Sequence, residues 1–331
     1  MRVVVIGGTG HIGSYLVPRL VRAGHAVLSV SRGRRSPYRA SAEWAAVEPV
    51  VADRAAEDRS GEFARRIAGL RPDAVIDLLC YAPESARQLV EALAGRLRQF
   101  LHCGSIWVHG EAEVVPTPES APRRPIGEYG INKNAIEDYL LGEARRSGFP
   151  AAVVHPGHIV GPGWNILNPQ GHFNPAVFQT IADGGELLLP NLGLECVHHV
   201  HADDVAQCFQ RALERPGAAT GESFHAVSPG ALTLLGYARA AYGWFGRAPR
   251  LAFRPLAELA GRLAPEDYAQ TAEHIGHSPC MSIEKARTLL GYAPRYTSLE
   301  ACREAVEWLV AQGRITAARA DPRRAPGPGP A

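Results

Sequence analysis

The chain has almost no surplus of either charge: 35 Lys and Arg face 33 Asp and Glu, a formal net charge of +2. That balance leaves no basic footprint for a nucleic acid or an anionic membrane. Long apolar runs are missing too. The opening stretch Met1-Arg2-Val3-Val4-Val5-Ile6 reaches glycine after a few residues, too soon for a signal peptide or a membrane span. The expected compartment is therefore the cytoplasm. Cysteine is sparse and scattered (Cys80, Cys103, Cys196, Cys208, Cys280, Cys302), with no Cys-x-x-Cys pair. This argues against a disulfide scaffold or a zinc knuckle and predicts reduced, mostly buried thiols. With 46% apolar and 21% charged residues the composition is that of a soluble globular protein. At 331 residues it is long enough for one large domain with a smaller lobe.

What is present is a regular alternation. Short apolar runs separated by longer amphipathic stretches predict βαβ units and a parallel, doubly wound α/β sheet of Rossmann type. Strands are expected at Val3–Ile6, Ala26–Val30, Val47–Val51, Ala74–Leu79, Gln99–Cys103 and Ala151–His155, with a helix over Ile12–Ala23 stopped by Gly24. Their nearly unbroken apolar character fits strands covered on both faces. Glycine and proline become frequent from Gly161 to Pro175, as in loops around a cleft. Val197–Arg215 then reads as a return to the main sheet, a short strand followed by a helix starting near Asp203-Asp204. The expected division is a dinucleotide domain over 1–164 and 197–228, a C-terminal substrate lobe over 165–196 and 229–312, and a disordered Pro/Gly/Arg/Ala-rich tail over 313–331.

The first chemical signal is Gly7-Gly8-Thr9-Gly10-His11-Ile12-Gly13. It contains G-x-G-x-x-G directly after a strand and directly before a helix, the context that makes the pattern specific. Glycines permit the tight turn and bring backbone N–H groups, and the positive end of the helix, to a pyrophosphate. No Gly-Lys-Ser/Thr follows, so a Walker loop is excluded. An acidic residue is expected roughly 20 residues on where the 2′-hydroxyl of NAD is bound. That place holds Ser31-Arg32-Gly33-Arg34-Arg35 instead. Arginine suits a phosphate, so NADP is the favoured cofactor, with NAD as the alternative and Ser31 and Arg32 as the 2′-phosphate contacts. Asp53 and Arg54 are expected at the adenine, and Leu79, Cys80 and His155, at later strand ends, are further expected cofactor contacts.

The second signal is Tyr129-Gly130-Ile131-Asn132-Lys133, which puts a phenol and an ammonium on one helix face. Free tyrosine has a pKa near ~10, and a neighbouring ammonium and a cationic oxidised nicotinamide would both favour its phenolate. Ser105, after strand five, is placed to donate to a substrate oxygen.

Taken in order, the glycine loop, Cys103-Gly104-Ser105-Ile106-Trp107-Val108-His109-Gly110, Tyr129–Lys133, and His155-Pro156-Gly157-His158-Ile159-Val160-Gly161-Pro162-Gly163 resemble the extended short-chain dehydrogenase/reductase superfamily. More narrowly, they resemble its NAD-dependent epimerase/dehydratase family. Val200-His201-Ala202-Asp203-Asp204-Val205-Ala206 is similar to the family's His-Val-Asp-Asp-Val-Ala stretch. Ser282-Ile283-Glu284-Lys285-Ala286 and Leu290-Gly291-Tyr292-Ala293-Pro294 are similar to its C-terminal signature. The resemblance covers about residues 1–310. It implies a catalytic set of Ser105, Tyr129 and Lys133, with Tyr129 as acid/base and Lys133 orienting the nicotinamide ribose. It also implies a homodimer paired through helices that include the one bearing Tyr129. Two positions depart from the pattern: His109 stands for the usual Tyr of Val-Tyr-Gly, and His155 for the usual Arg of Arg-Pro-Gly.

The family's dehydratases and decarboxylases carry acidic residues just after the catalytic Ser/Thr, where this chain has Ile106 and Trp107. Apolar side chains cannot act as general acids, which leaves two reactions. One is epimerisation of a sugar or sugar-nucleotide by transient oxidation of a carbinol carbon, and the other is NADPH-dependent carbonyl reduction; epimerisation is placed first. A small sugar-like substrate is expected to meet Ser105, Tyr129, His158, Asn165 and Asn174. The clustered histidines (His155, His158, His172, His198, His199, His201) invite a metal, with His199 and His201 on one strand face. With no His-Glu-x-x-His and no carboxylate triad, the expectation is none. A non-catalytic dinucleotide-sensing protein is the alternative from another class; its mark would be loss of Tyr129 or Lys133, and both are present.

Overall fold

The computed structural model describes residues 1–316. Six strands follow one another through the first half: β1 (Arg2–Ile6), β2 (Ala26–Ser31), β3 (Glu48–Val51), β4 (Ala74–Asp77), β5 (Gln99–Cys103) and β6 (Ala151–Pro156). Short strands come next: β7 (His158–Val160), β8 (Leu187–Pro190), β9 (Cys196–Val197), β10 (His199–His201) and β11 (Ser223–Ala226). The main sheet has seven strands in the order β11-β6-β5-β4-β1-β2-β3. All of its pairings are parallel. Strand order reverses between β1 and β4, so a crevice opens beyond their C-terminal ends, where doubly wound sheets bind their ligands.

Helices cover both faces, as the unbroken apolar strands require. They are α1 (His11–Arg22), α2 (Arg54–Glu57), α3 (Glu62–Gly69), α4 (Pro83–Leu93), α5 (Gly127–Ser147) and, after α6 (Ala176–Ala182), which packs away from the sheet, α7 (Ala202–Glu214). On one face Leu16, Val17 and Leu20 of α1 pack with Val205 and Phe209 of α7 over Val3, Val5 and Ile76. On the other, Phe63, Ile67, Leu89, Leu93, Ile136 and Leu140 pack over Val4, Val75 and Phe100. A further apolar core lies away from the sheet and gathers Phe178, Leu189, Tyr237, Tyr242 and Leu309. The buried ion pair of Arg19 and Asp203, at 2.8 and 2.7 Å, ties α1 to α7.

The return to the main sheet lies elsewhere than the sequence predicts. β10 pairs with β7 in a separate two-stranded ladder (His199 beside His158), and it is β11 that joins β6. β11 reads as polar because Ser223 and His225 turn into a buried polar cluster rather than an apolar layer. β4 ends at Asp77 rather than Leu79, because the Asp77 carboxylate accepts from the Leu79 N–H (3.1 Å) and bends the chain. The start of the expected disordered tail is anchored: Ile315 is buried, and Gln179 exchanges two hydrogen bonds with the Thr316 backbone. The remainder of that expected tail lies outside the described residues.

Candidate active site

The loop Gly7-Gly8-Thr9-Gly10 turns directly into α1, with the Gly10 N–H donating to the Gly7 carbonyl (2.9 Å). Gly10 caps α1 without a side chain, and the first turn holds no acidic residue. Its N–H groups are left facing the crevice, and an anion is the complement they lack. A Cβ on Gly13 would collide with the Gly8 carbonyl, so only glycine lets the helix start this close to the loop. The His11 ring turns aside and stacks on Trp164 (5.0 Å between centroids, planes 5° apart), with Tyr38 edge-on to both. Burial, helped by nearby His201, takes the His11 pKa down to about 3, so the ring is neutral. Ile12 joins the crevice wall.

At the end of β2, Ser31 Oγ accepts from the Gly33 N–H (3.2 Å), while Arg32, Arg34 and Arg35 are exposed. No carboxylate stands at this strand end itself. Asp53 caps α2, accepting from the Ala56 N–H (3.4 Å), and lies 3.9 Å from Arg34. Arg54, the other expected adenine contact, is tied into the fold. Its guanidinium is buried and holds both oxygens of fully buried Asp77 at 2.8 Å, with Asp58 at 3.2 Å. Without Arg54, Asp77 must either stay charged with no cation beside it or take up a proton, and both cost stability. Arg54→Ala is therefore expected to lower stability by about 3–5 kcal/mol in urea unfolding. The double variant Arg54→Ala/Asp77→Leu, which removes both charges, is expected to regain most of that loss. Equal losses in the single and double variants would show that packing, not charge, is what Arg54 supplies.

The crevice leads from the glycine loop to three side chains on different elements. Ser105 follows β5, and Tyr129 and Lys133 stand one turn apart on α5. All three line one cavity together with Gly7, Gly10, Gly13, Leu79, Tyr81 and Trp164. Lys133 is almost completely buried, yet its ammonium is well placed. It donates to the carbonyls of Cys80 (2.8 Å), in the loop after β4, and Cys103 (2.7 Å), at the end of β5, and lies over the Tyr81 ring at 4.6 Å. Its Nζ is 5.8 Å from the Tyr129 ring centre. Burial lowers the Lys133 pKa from its ordinary value, and the thiols of Cys103 and Cys80 partly restore it. The Tyr129 ring is half exposed along the crevice, but its hydroxyl end is buried against Ser105. Burial is the main cause that raises the phenol above its ordinary pKa, and the nearby Ser105 hydroxyl opposes it. Ser105 Oγ accepts from the Trp107 N–H (3.3 Å), which leaves its own proton to donate.

Other expected contacts fall away from the crevice. Cys80 and His155 are fully buried; Cys80 offers its carbonyl to Lys133, and His155 lies behind Ser105. His158 packs among Trp107, His199 and His274. Asn174 is committed to the fold: its amide donates to Asp267 (2.9 Å) and its carbonyl accepts from the Ala176 N–H (3.0 Å). Asn165 is exposed on the loop after Trp164. The remaining histidines of the cluster have ordinary partners, His172 in the side chains of Asn168 and Gln170. His198 and His199 bond to the carbonyls of Ser228 and Leu167, and His201 caps α7. Tyr81 and Trp164 escape a sequence reading because they sit on loops with no motif; only the fold brings them to the cavity.

Residues 3–226 match the model of a protein family described as the NAD dependent epimerase/dehydratase family. Among curated relatives, the chain is 28% identical over 247 residues to a UDP-glucose 4-epimerase of Streptomyces lividans, covering 65% of this chain and 72% of that protein. It is 29% identical over 213 residues to a 2′-dehydrokanamycin reductase of Streptomyces kanamyceticus. That match covers 64% of this chain and spans 58% of the relative's length. Among solved structures, a UDP-glucose 4-epimerase of Thermotoga maritima superposes with a TM-score of 0.71 at 22% identity, covering 94% of this chain and 99% of that one.

Proposed function

The chain belongs to the NAD-dependent epimerase/dehydratase family, and from that premise we propose that it is an NAD(P)-dependent epimerase of a sugar or sugar-nucleotide. The observation that carries the reading is the meeting of Ser105, Tyr129 and Lys133 in one cavity with the uncapped start of α1. The residues fit a dinucleotide: free helix N–H groups for the pyrophosphate, and a buried ammonium fixed by two carbonyls beside the phenol. The chemistry supplied by a bound nicotinamide is reversible hydride transfer at a carbinol carbon. Tyr129 would take the hydroxyl proton as hydride leaves and give it back when hydride returns to the other face. Ser105 would donate to the same oxygen. Lys133 would hold the cofactor's ribose side and favour the phenolate by its charge. A phenol whose pKa is raised suits the proton-donating half-reaction; the opposite half-reaction needs the extra cation.

The epimerases among its relatives favour epimerisation over simple reduction. The reductase of Streptomyces kanamyceticus keeps carbonyl reduction as the second reading. Cofactor released from the purified protein separates the two. Tight, stoichiometric retention through purification is expected of the epimerase; a cofactor lost on gel filtration and needed in every assay would support the reductase.

We assign NADP as the preferred cofactor, on the strength of Ser31 and exposed Arg32 at a strand end without a carboxylate. A charge-assisted contact is worth about 1.5–3 kcal/mol, so Arg32→Ala is expected to weaken NADP by about 10- to 100-fold and leave NAD almost unchanged. Wild-type protein that binds NAD more tightly than NADP in a fluorescence titration would overturn the assignment. The same reading takes 1–164 and 197–228 as the dinucleotide domain and 165–196 and 229–312 as the substrate lobe. It also includes a cytoplasmic homodimer paired through α5. Among the described residues no helix is long and apolar enough to cross a membrane.

A further inference from the structure

Behind Ser105 lies a continuous chain of buried polar side chains that the proposed reaction does not use. The Ser105 backbone N–H donates to His155 Nδ1 at 2.9 Å. A backbone N–H can only donate, so Nδ1 must be unprotonated and the ring proton must sit on Nε2. That nitrogen lies 3.1 Å from Glu137 Oε1, a close polar contact bent away from hydrogen-bond geometry. Glu137 stands one helical turn beyond Lys133 and two beyond Tyr129, in line with both on α5. Burial would raise its carboxyl, but His155 and the Arg123 guanidinium outweigh it and hold the group ionised. Arg123 grips Glu137 through two hydrogen bonds, at 2.8 and 3.2 Å.

The two departures from the family pattern meet here. Arg123 also reaches His109 Nδ1 (3.2 Å), and His109 Nε2 lies 2.8 Å from His225 Nε2. His225 Nδ1 faces the Ser282 carbonyl at 3.1 Å, and its ring is 6.1 Å from that of His155. One set of tautomers satisfies this branch: Arg123 donates to His109, His109 to His225, and His225 to the carbonyl. His109 and His155 are thus parts of one network that also needs Glu137, Arg123 and His225. Gly104 belongs to it sterically, since a Cβ there would collide with the His155 ring.

We propose that His155, oriented by Glu137, is the positioning residue that sets the backbone of Ser105 and so aims the serine hydroxyl at the substrate oxygen. This rests on the epimerase reading only for its consequence, because the contact itself can be measured without substrate. With His155 holding the serine N–H and the Trp107 N–H donating to Oγ (3.3 Å), both ends of the residue are fixed and the hydroxyl proton is left for the reaction. A positioning contact of this kind acts on turnover more than on cofactor affinity.

Two variants of similar polarity separate acceptor position from mere filling. His155→Asn puts a carbonyl where Nδ1 stood, whereas His155→Gln puts it where Nε2 stood. Amide exchange at Ser105 is expected to stay slow in the wild type and in His155→Asn, and to rise at least tenfold in His155→Gln. With UDP-glucose as the probe substrate, kcat is expected to fall about 10- to 100-fold in His155→Gln, with recovery to within a few fold in His155→Asn and NADP affinity unchanged in both. Unchanged Ser105 exchange in His155→Gln overturns the proposal, as does equal loss of exchange protection in both variants. Tyr129→Phe, measured beside them, tells the two ideas apart: if that variant keeps its activity the epimerase reading fails, whereas an inactive Tyr129→Phe with a fully active His155→Gln defeats only the positioning role.

Discussion

Tyr129→Phe is expected to lower kcat by about two to four orders of magnitude while the protein folds and binds its cofactor as before. The substitution removes one oxygen at the buried end of a ring that is half exposed along the crevice, so packing changes little. The oxygen removed belongs to the phenol whose pKa the nearby Ser105 hydroxyl lowers, and Lys133 cannot take its place. The lysine ammonium is already held by the Cys80 and Cys103 carbonyls at 2.8 and 2.7 Å, a geometry that fixes its charge beside the reaction rather than in it. Tyr81 is the one neighbouring phenol that might be thought a substitute, since its ring lies 6.3 Å from that of Tyr129. Its pKa is also raised by burial, however, and Ser105 is not among the groups that act on it. Retention of more than about a tenth of the wild-type kcat on a turned-over substrate would remove Tyr129 from the acid/base role. A fall in kcat accompanied by weaker NADP binding would instead make it a cofactor contact.

How far the sequence reveals this site depends on whether each residue's role is local. Gly8, Gly10 and Gly13 are legible because a strand, a turn and a helix start follow each other within one segment, and the structure places all of them there. Tyr129 and Lys133 are legible for the same reason: four residues on a helix fix their shared face. Glu137 carried the same signal, one turn further along, and lacked only a reason to be buried. The ion pair of Arg54 is hidden because its partner, Asp77, is on a strand further along the chain, and nothing local distinguishes an arginine facing solvent from one closing over a buried carboxylate. The hydrogen bond of Asn174 is hidden for a like cause, its partner Asp267 being far along the chain. β11 escaped because periodicity detects apolar faces, and Ser223 and His225 face a polar interior instead.

The same blindness to context concealed the protein's expected response to acid, which should be steep between pH 6.5 and 4.5. Of 13 histidines, His11, His109, His198, His199 and His274 are buried with pKa values lowered to about 3, 3, 4, 4 and 4, and His102, His158 and His225 are lowered well below the ordinary value. In every case the largest cause is burial, which penalises the charged ring. The sign follows directly. An unfolded histidine takes up a proton near pH 6.5, while its folded counterpart stays neutral until far lower pH. The unfolded chain therefore binds more protons in this window, and stability is lost as pH falls through it. Each such proton is worth about 1.4 kcal/mol per pH unit. Glu119 and Asp204, raised mainly by burial, work the other way, but they are two groups against eight. Depressed carboxylates such as Asp203 and Glu137 add their own losses only at lower pH, near and below the unfolded carboxylate values. Urea unfolding followed from pH 8 to 4.5 is thus expected to show a nearly level stability above pH 7 and a fall steeper than one proton's worth by pH 5.5. His11→Phe, which removes a neutral ring stacked on Trp164 and keeps an aromatic there, is expected to make that fall shallower. A stability that stays level down to pH 5 would mean that these rings are charged or hydrated in the folded protein, and the buried histidine clusters would then need a different account.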